Sequence, residues 1–192
     1  MHAFVRVSMR ASARRAITAL LCALAMGVPG ASSAQATLPV AFALRTMRGD
    51  TVHVGAGSPV TLVAVFASWC RSCKEEIAVF NRLQLELAPL GVRVVALSAD
   101  EGSDEHLTGW LARYDAQYPV ARDTSRAALR ALGVVGVPEA YLVGADGRVI
   151  WSRRGPIESG LPSLRKAVAN AGNRATGRRP RARPTTAVRG KY

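Results

Sequence analysis

Two cysteines three positions apart, in Cys70-Arg71-Ser72-Cys73, are the side chains of this sequence most able to do chemistry. A thiolate is a nucleophile and a soft metal ligand, and two at this spacing can close a disulfide. Three uses compete. As a staple the disulfide does little, because closing so short a loop restrains the unfolded chain by only about 2 kcal/mol in the chain-entropy account. As a structural zinc site the pair is short of partners, since zinc takes four ligands. His53 and His106 are the other candidates, and they stand in no ligand-like spacing. As a redox pair the cysteines require a strand that hands over to a helix at the first cysteine.

The flanking sequence has that setting. Residues 60–67 (VTLVAVFA) are a continuous apolar, β-branched run, the pattern of a strand buried on both faces. Ser68 and Trp69 follow, and from about residue 72 to 87 the pattern turns helical. Ile77, Phe80, Leu83 and Leu87 recur at three- and four-residue steps, and Pro89 and Gly91 end the run. Cys70 then lies beside unpaired backbone N–H groups and the positive end of a helix dipole, both of which stabilise a thiolate. Arg71 adds a positive charge. Cys70 is therefore the more exposed, more acidic, attacking thiol. Cys73, one turn inward, is the resolving thiol that attacks Cys70 in the mixed disulfide.

The remaining elements must hold this junction in place. Residues 42–45 and 51–54 read as a hairpin, and 92–97 (VRVVAL) as a second buried strand. An acidic turn at 100–104 leads into a helix at 105–114, a short strand near 118–121 and a helix at 125–132 capped by Gly133. Residues 140–143 and 149–153 form strands around the turn Gly144-Ala145-Asp146-Gly147, and a last helix runs over 161–169. The sum is an α/β domain, a mixed sheet with helices on both sides, over residues 38–170.

The net charge of +13 suggests a nucleic-acid partner until it is divided along the chain. Residues 1–34 carry four arginines and residues 171–192 seven Lys or Arg, with no acid in either, which leaves 15 basic against 13 acidic residues between them. The folded part is nearly neutral, so nucleic acid is not expected as a partner. Residues 1–34 read as an export signal. Arg6, Arg10, Arg14 and Arg15 precede an apolar stretch at 16–28, which Pro29 and Gly30 break. That stretch of 13 residues is short for a membrane span, and small residues allow cleavage after Ala34. An uncleaved anchor is the alternative. Cys22 lies inside the signal, so cleavage would leave one cysteine pair. The tail at 171–192 has no apolar periodicity and reads as a basic disordered segment, solvated or in weak contact with an anionic surface.

At Trp69-Cys70-Arg71-Ser72-Cys73 and Gly136-Val137-Pro138-Glu139 the sequence resembles the TlpA-type thioredoxin-like proteins of bacterial envelopes, which include reductases serving cytochrome c maturation. The match covers about residues 38–169. The resemblance extends to an opening hairpin at Phe42-Ala43-Leu44 and Gly49-Asp50-Thr51-Val52 and to a helix-bearing insertion at 97–118. It implies a thioredoxin-like fold in which Pro138 is cis and faces the disulfide. Trp69 and the backbone of Val137 would then receive an extended substrate segment. It also implies that Glu76 accepts the proton of Cys73, whose burial raises its pKa. Ala64, where ordinary thioredoxins keep an acid, cannot. The alternative for Glu76 is a surface charge on the first helical turn, a place that Glu75 fits better.

Two departures stand out. Ser72 and Ala78 occupy positions where many members have proline. The resemblance implies a periplasmic or other extracytoplasmic enzyme that reduces protein disulfides, takes electrons from a membrane donor and needs no cofactor or metal. A disulfide-forming oxidant and a copper-binding module on the same thiolates remain as alternatives, and a peroxidase on a related fold stands last.

Overall fold

The computed structural model describes residues 39–175. The expected export signal with Cys22, and residues 176–192 of the tail expected from 171, lie outside the described residues.

Among the described residues seven strands and four α-helices follow one another: β1 (Phe42–Arg45), β2 (Thr51–Val54), β3 (Thr61–Phe66), α1 (Arg71–Leu87), β4 (Arg93–Ser98), α2 (Asp104–Tyr114), β5 (Val120–Arg122), α3 (Ala127–Leu132), β6 (Glu139–Val143), β7 (Val149–Arg154) and α4 (Leu161–Ala175). Five strands form the central sheet in the order β5-β4-β3-β6-β7. β3, β4 and β5 run parallel, while β6 and β7 run antiparallel to their neighbours. β3 lies in the middle, which is why every one of its residues is buried.

Alternation along β3 divides the core. Leu62, Ala64 and Phe66 point to one face, among Phe80, Leu83 and Leu87 of α1, Leu107 of α2, and Leu164 and Val168 of α4. Val63 and Val65 point to the other, among Leu129 and Leu132 of α3 and Val54 of the hairpin. A strand covered on both faces is apolar almost throughout, as residues 62–67 are, and the buried hydroxyl of Thr61 at its start donates to the carbonyl of Pro59.

The hairpin β1–β2 is a separate two-stranded sheet pinned at both ends. At one end Val40 N–H donates to the carbonyl of Gly147 in the β6–β7 turn. Gly55 closes that contact: its φ is +72°, and a Cβ there would overlap the carbonyl of Val40. At the other end Thr46 bridges to Ala121, and Met47 N–H donates to the carbonyl of Val120.

Three boundaries differ from the sequence reading by more than one residue. The fifth strand starts at Val120, because Tyr118 turns inward and packs edge-on against Phe80. The third helix starts at Ala127, because Arg126 is left-handed at φ 56° and the Asp123 carboxylate accepts from Ala127 N–H and Leu129 N–H. The last helix runs past Ala169 to Ala175, because Ala171 continues the buried stripe of Leu164 and Val168. Among the described residues no helix is long and apolar enough to cross a membrane.

Candidate active site

Cys70 and Cys73 are joined as a disulfide at the point where β3 hands over to α1. Cys70 is the N-cap residue of α1, with extended backbone angles, and its Sγ accepts from Cys73 N–H at 3.2 Å. One of the orphan N–H groups of the helix is thus spent on sulfur, the interaction that favours a thiolate once the pair is reduced. Ser72 Oγ lies 3.6 Å from the same sulfur. Cys70 is 6% exposed and Cys73 3%. The expected order of exposure holds only narrowly, because the disulfide turns Cys70 Sγ in against the helix N-terminus. Trp69, by contrast, stands 72% exposed beside the pair.

The loop carrying Trp69 and Cys70 is held from beneath by Asp100, buried just beyond the end of β4. Its carboxylate accepts from Ser68 N–H at 3.0 Å, Ser68 Oγ–H at 2.7 Å and Ser98 Oγ–H at 2.6 Å. His106 Nε2, on α2, is 3.1 Å from Ser68 Oγ. Since the serine proton points at Asp100, the imidazole N–H is the donor in that contact. The sequence reading missed Asp100 and Ser68 as a pair. The β3–β4 register, which sets Phe66 against Ser98, brings together the residues two places further on.

The Val137–Pro138 peptide is cis. Pairing of Val65 with Glu139 across β3 and β6 brings Val137 and Pro138 to the same sheet end as the redox loop. Val137 packs against the core cluster that includes both cysteines. Trp69, Val137, Val134, Val135, His106 and Arg126 are among the residues lining a groove of about 680 Å³ alongside. Glu139, next in sequence, is buried. It accepts a hydrogen bond from Tyr141 Oη–H and pairs with Arg154 at 3.6 Å.

Glu76 lies one turn beyond Cys73 on α1 and is 7% exposed. Its hydrogen bond goes to Ile157 N–H, ahead of α4, and not to Cys73. Burial pushes its carboxyl up to about 7, against the opposing effect of the Ile157 N–H and with a smaller push from Glu158. Glu75, next to it, is exposed. All six residues singled out from the sequence (Trp69, Cys70, Cys73, Glu76, Val137 and Pro138) therefore sit at one end of the sheet. Ala64 lies mid-strand in the core with no acid in its place. Among the described residues no cluster of three or more His, Cys, Asp or Glu is arranged to hold a metal ion.

A mixed sheet, a C-x-x-C disulfide at a strand-to-helix junction and a cis-proline at the same sheet end together define a thioredoxin-like fold. The AhpC/TSA family model matches residues 37–152, and the chain belongs to that family. Among relatives, a thiol:disulfide interchange protein CycY from Rhizobium leguminosarum bv. viciae is 38% identical over 117 residues, 57% of this chain and 60% of the relative. A thiol-disulfide oxidoreductase ResA from Bacillus thuringiensis subsp. konkukian is 32% identical over 90 residues, 47% of this chain and 51% of the relative. The match thus spans little more than half the length of these curated relatives. The crystal structure of a putative thiol:disulfide interchange protein DsbE from Chlorobium tepidum superposes with a TM-score of 0.61 at 27% identity, over 70% of this chain and 94% of that one. The likeness to TlpA-type thioredoxin-like proteins read from the sequence holds in these relatives.

Proposed function

We propose that the chain is an exported thiol–disulfide oxidoreductase that reduces disulfides in envelope proteins. The observation that carries this reading is the Cys70–Cys73 disulfide capping α1, with Cys70 Sγ accepting from Cys73 N–H. In the reduced protein the Cys70 thiolate attacks one sulfur of a substrate disulfide. A bond forms from Cys70 Sγ to that sulfur, the substrate S–S bond breaks, and the departing substrate thiolate takes a proton. Glu76 then receives the proton of Cys73, and the Cys73 thiolate attacks Cys70 Sγ. The Cys70–Cys73 bond forms, and the second substrate sulfur leaves as a thiolate. Two electrons pass from the dithiol to the substrate, and a membrane-held dithiol donor restores the pair.

Val137, beside the cis-proline, offers its backbone to the extended segment that carries the substrate cysteine, with Trp69 as an exposed wall. A disulfide between the thiols of an apocytochrome c fits as substrate on the resemblance to the maturation reductases, and the basic residues beyond 175 suit contact with an anionic membrane surface.

Replacing Cys73 with Ser tests the assignment. The variant is expected to accumulate mixed disulfides through Cys70, seen as thiol-sensitive adducts by mass spectrometry. Unimpaired turnover without adducts would refute the division of roles. Equilibration with glutathione sets the direction of flow: a potential near about −270 mV supports a reductant, and one near about −120 mV an oxidant.

A further inference from the structure

Trp69 stands 72% exposed beside the disulfide. With so little of the indole packed, its direction is set by the backbone on either side. On one side Cys70 N–H donates to the carbonyl of Ala67 at 3.0 Å. On the other is Ser68, buried and tied to two elements. Its N–H and its hydroxyl donate to the Asp100 carboxylate at the end of β4, at 3.0 and 2.7 Å. Its oxygen accepts from His106 Nε2–H at 3.1 Å. His106 lies on the first turn of α2, next to the fully buried Leu107, and is itself exposed. It therefore reaches the redox loop from the surface, on a helix that the core holds in place.

Trp69, Val135 and Val137 line one groove, and Val135 is 73% exposed. In a slack loop the indole would fall onto these valines, since apolar surfaces gain by leaving water together. That collapse would fill the space an extended substrate segment needs. We propose that His106 is a positioning residue: through Ser68 it braces the redox loop, so that Trp69 stands off Val135 and the groove stays open to a polypeptide substrate. The inference rests on the oxidoreductase reading above. A groove held open in advance saves the ordering that binding would otherwise require. A small disulfide needs no groove to reach Cys70, so the brace acts on polypeptide substrates selectively.

The test uses two chromogenic probes on the reduced full chain. One is a short extended peptide whose central cysteine is blocked as a mixed disulfide with thionitrobenzoate. The other is the symmetrical disulfide of thionitrobenzoate, with no peptide. With the first probe the Cys70 thiolate attacks the peptide sulfur, the bond to thionitrobenzoate breaks, and the coloured anion leaves. Cys73 then displaces the peptide as a thiol, and the Cys70–Cys73 disulfide forms. The readout is the ratio of the two second-order rate constants, which a loss of folded protein alone does not move. His106→Ala and Ser68→Ala are each expected to lower the ratio roughly threefold to tenfold, the usual weight of one lost hydrogen bond. His106→Gln keeps a side-chain N–H and should stay within about twofold of wild type. The double variant should match Ser68→Ala within about twofold, because His106 acts through Ser68. Multiplying losses in the double variant would mean that the imidazole touches the peptide itself, and would overturn the brace. An unchanged ratio in His106→Ala, or an equal loss in His106→Gln, would overturn it too. A wild-type pair that forms no disulfide after either probe would overturn the oxidoreductase reading, and the proposal with it.

Discussion

In the proposed cycle Glu76 serves chemistry at a cost to stability. A carboxyl at about 7 is poised to take a proton at neutral pH and to release it again. Resolution through Cys73 should therefore quicken as pH rises through about 7, and Glu76→Gln should lose that inflection in stopped-flow kinetics. The same shift bears on folding. The folded-state value lies above the ordinary 4.5, so the folded chain holds a proton that the unfolded chain releases. The stability this contributes is fully present below pH 4.5 and is lost as pH rises through about 7. The loss amounts to up to about 3 kcal/mol. Glu76→Gln keeps an acceptor for Ile157 N–H and carries no charge, so it should be more stable than wild type at pH 8 in urea unfolding. Sequence spacing placed Glu76 one turn after Cys73. It could not indicate Ile157, 81 positions away, as the partner that anchors the carboxylate.

At the scale of elements, the helix-bearing insertion depends on one buried side chain. Leu107 is the only buried residue of α2, and it is 0% exposed. Trp110 adds a stacked contact with Phe66, ring centroids 5.3 Å apart, and Tyr114 extends the row toward Lys74. Leu107→Ala should cost about 2–5 kcal/mol in denaturant unfolding, the usual range for emptying a core leucine site. It should also loosen His106 from Ser68, visible as faster amide exchange in residues 68–70. The buried strands and α1 were legible because apolar period and element type agree there. The opening hairpin was legible to the residue at 42–45 and 51–54 from the residues themselves, without any resemblance. The start of α3 was hidden, since a side chain, Asp123, caps it from four and six positions upstream. The end of α4 was hidden because Ala171 is a weak apolar signal beside Gly172 and Asn173. The support under the redox loop was hidden because Asp100 meets Ser68 across 32 positions, and only strand register brings them together.

At the scale of the whole molecule, charge and fold are separated. Residues 176–192 carry six Lys or Arg and no acid. A chain ending at Ala175 should keep its thiol–disulfide cycling with a small disulfide substrate. It should also lose salt-sensitive binding to phosphatidylserine vesicles, as a segment worth about 1 kcal/mol per basic residue near such a surface would require. Equal vesicle binding by both chains would refute the contact. The hairpin β1–β2 has a consequence of another kind. An open sheet has two lateral edges, and each is a template on which a foreign strand can grow. The hairpin shuts the β5 edge through Thr46 and Met47, and the β7 edge carries Arg153 and Arg154. In the proposed function the substrate presents an extended segment, which can join an open strand. The β5 edge is thus capped, and the charged side chains on β7 discourage pairing at the other. In the proposed role, the hairpin would keep the β5 side of the sheet from growing onto the enzyme's own substrates.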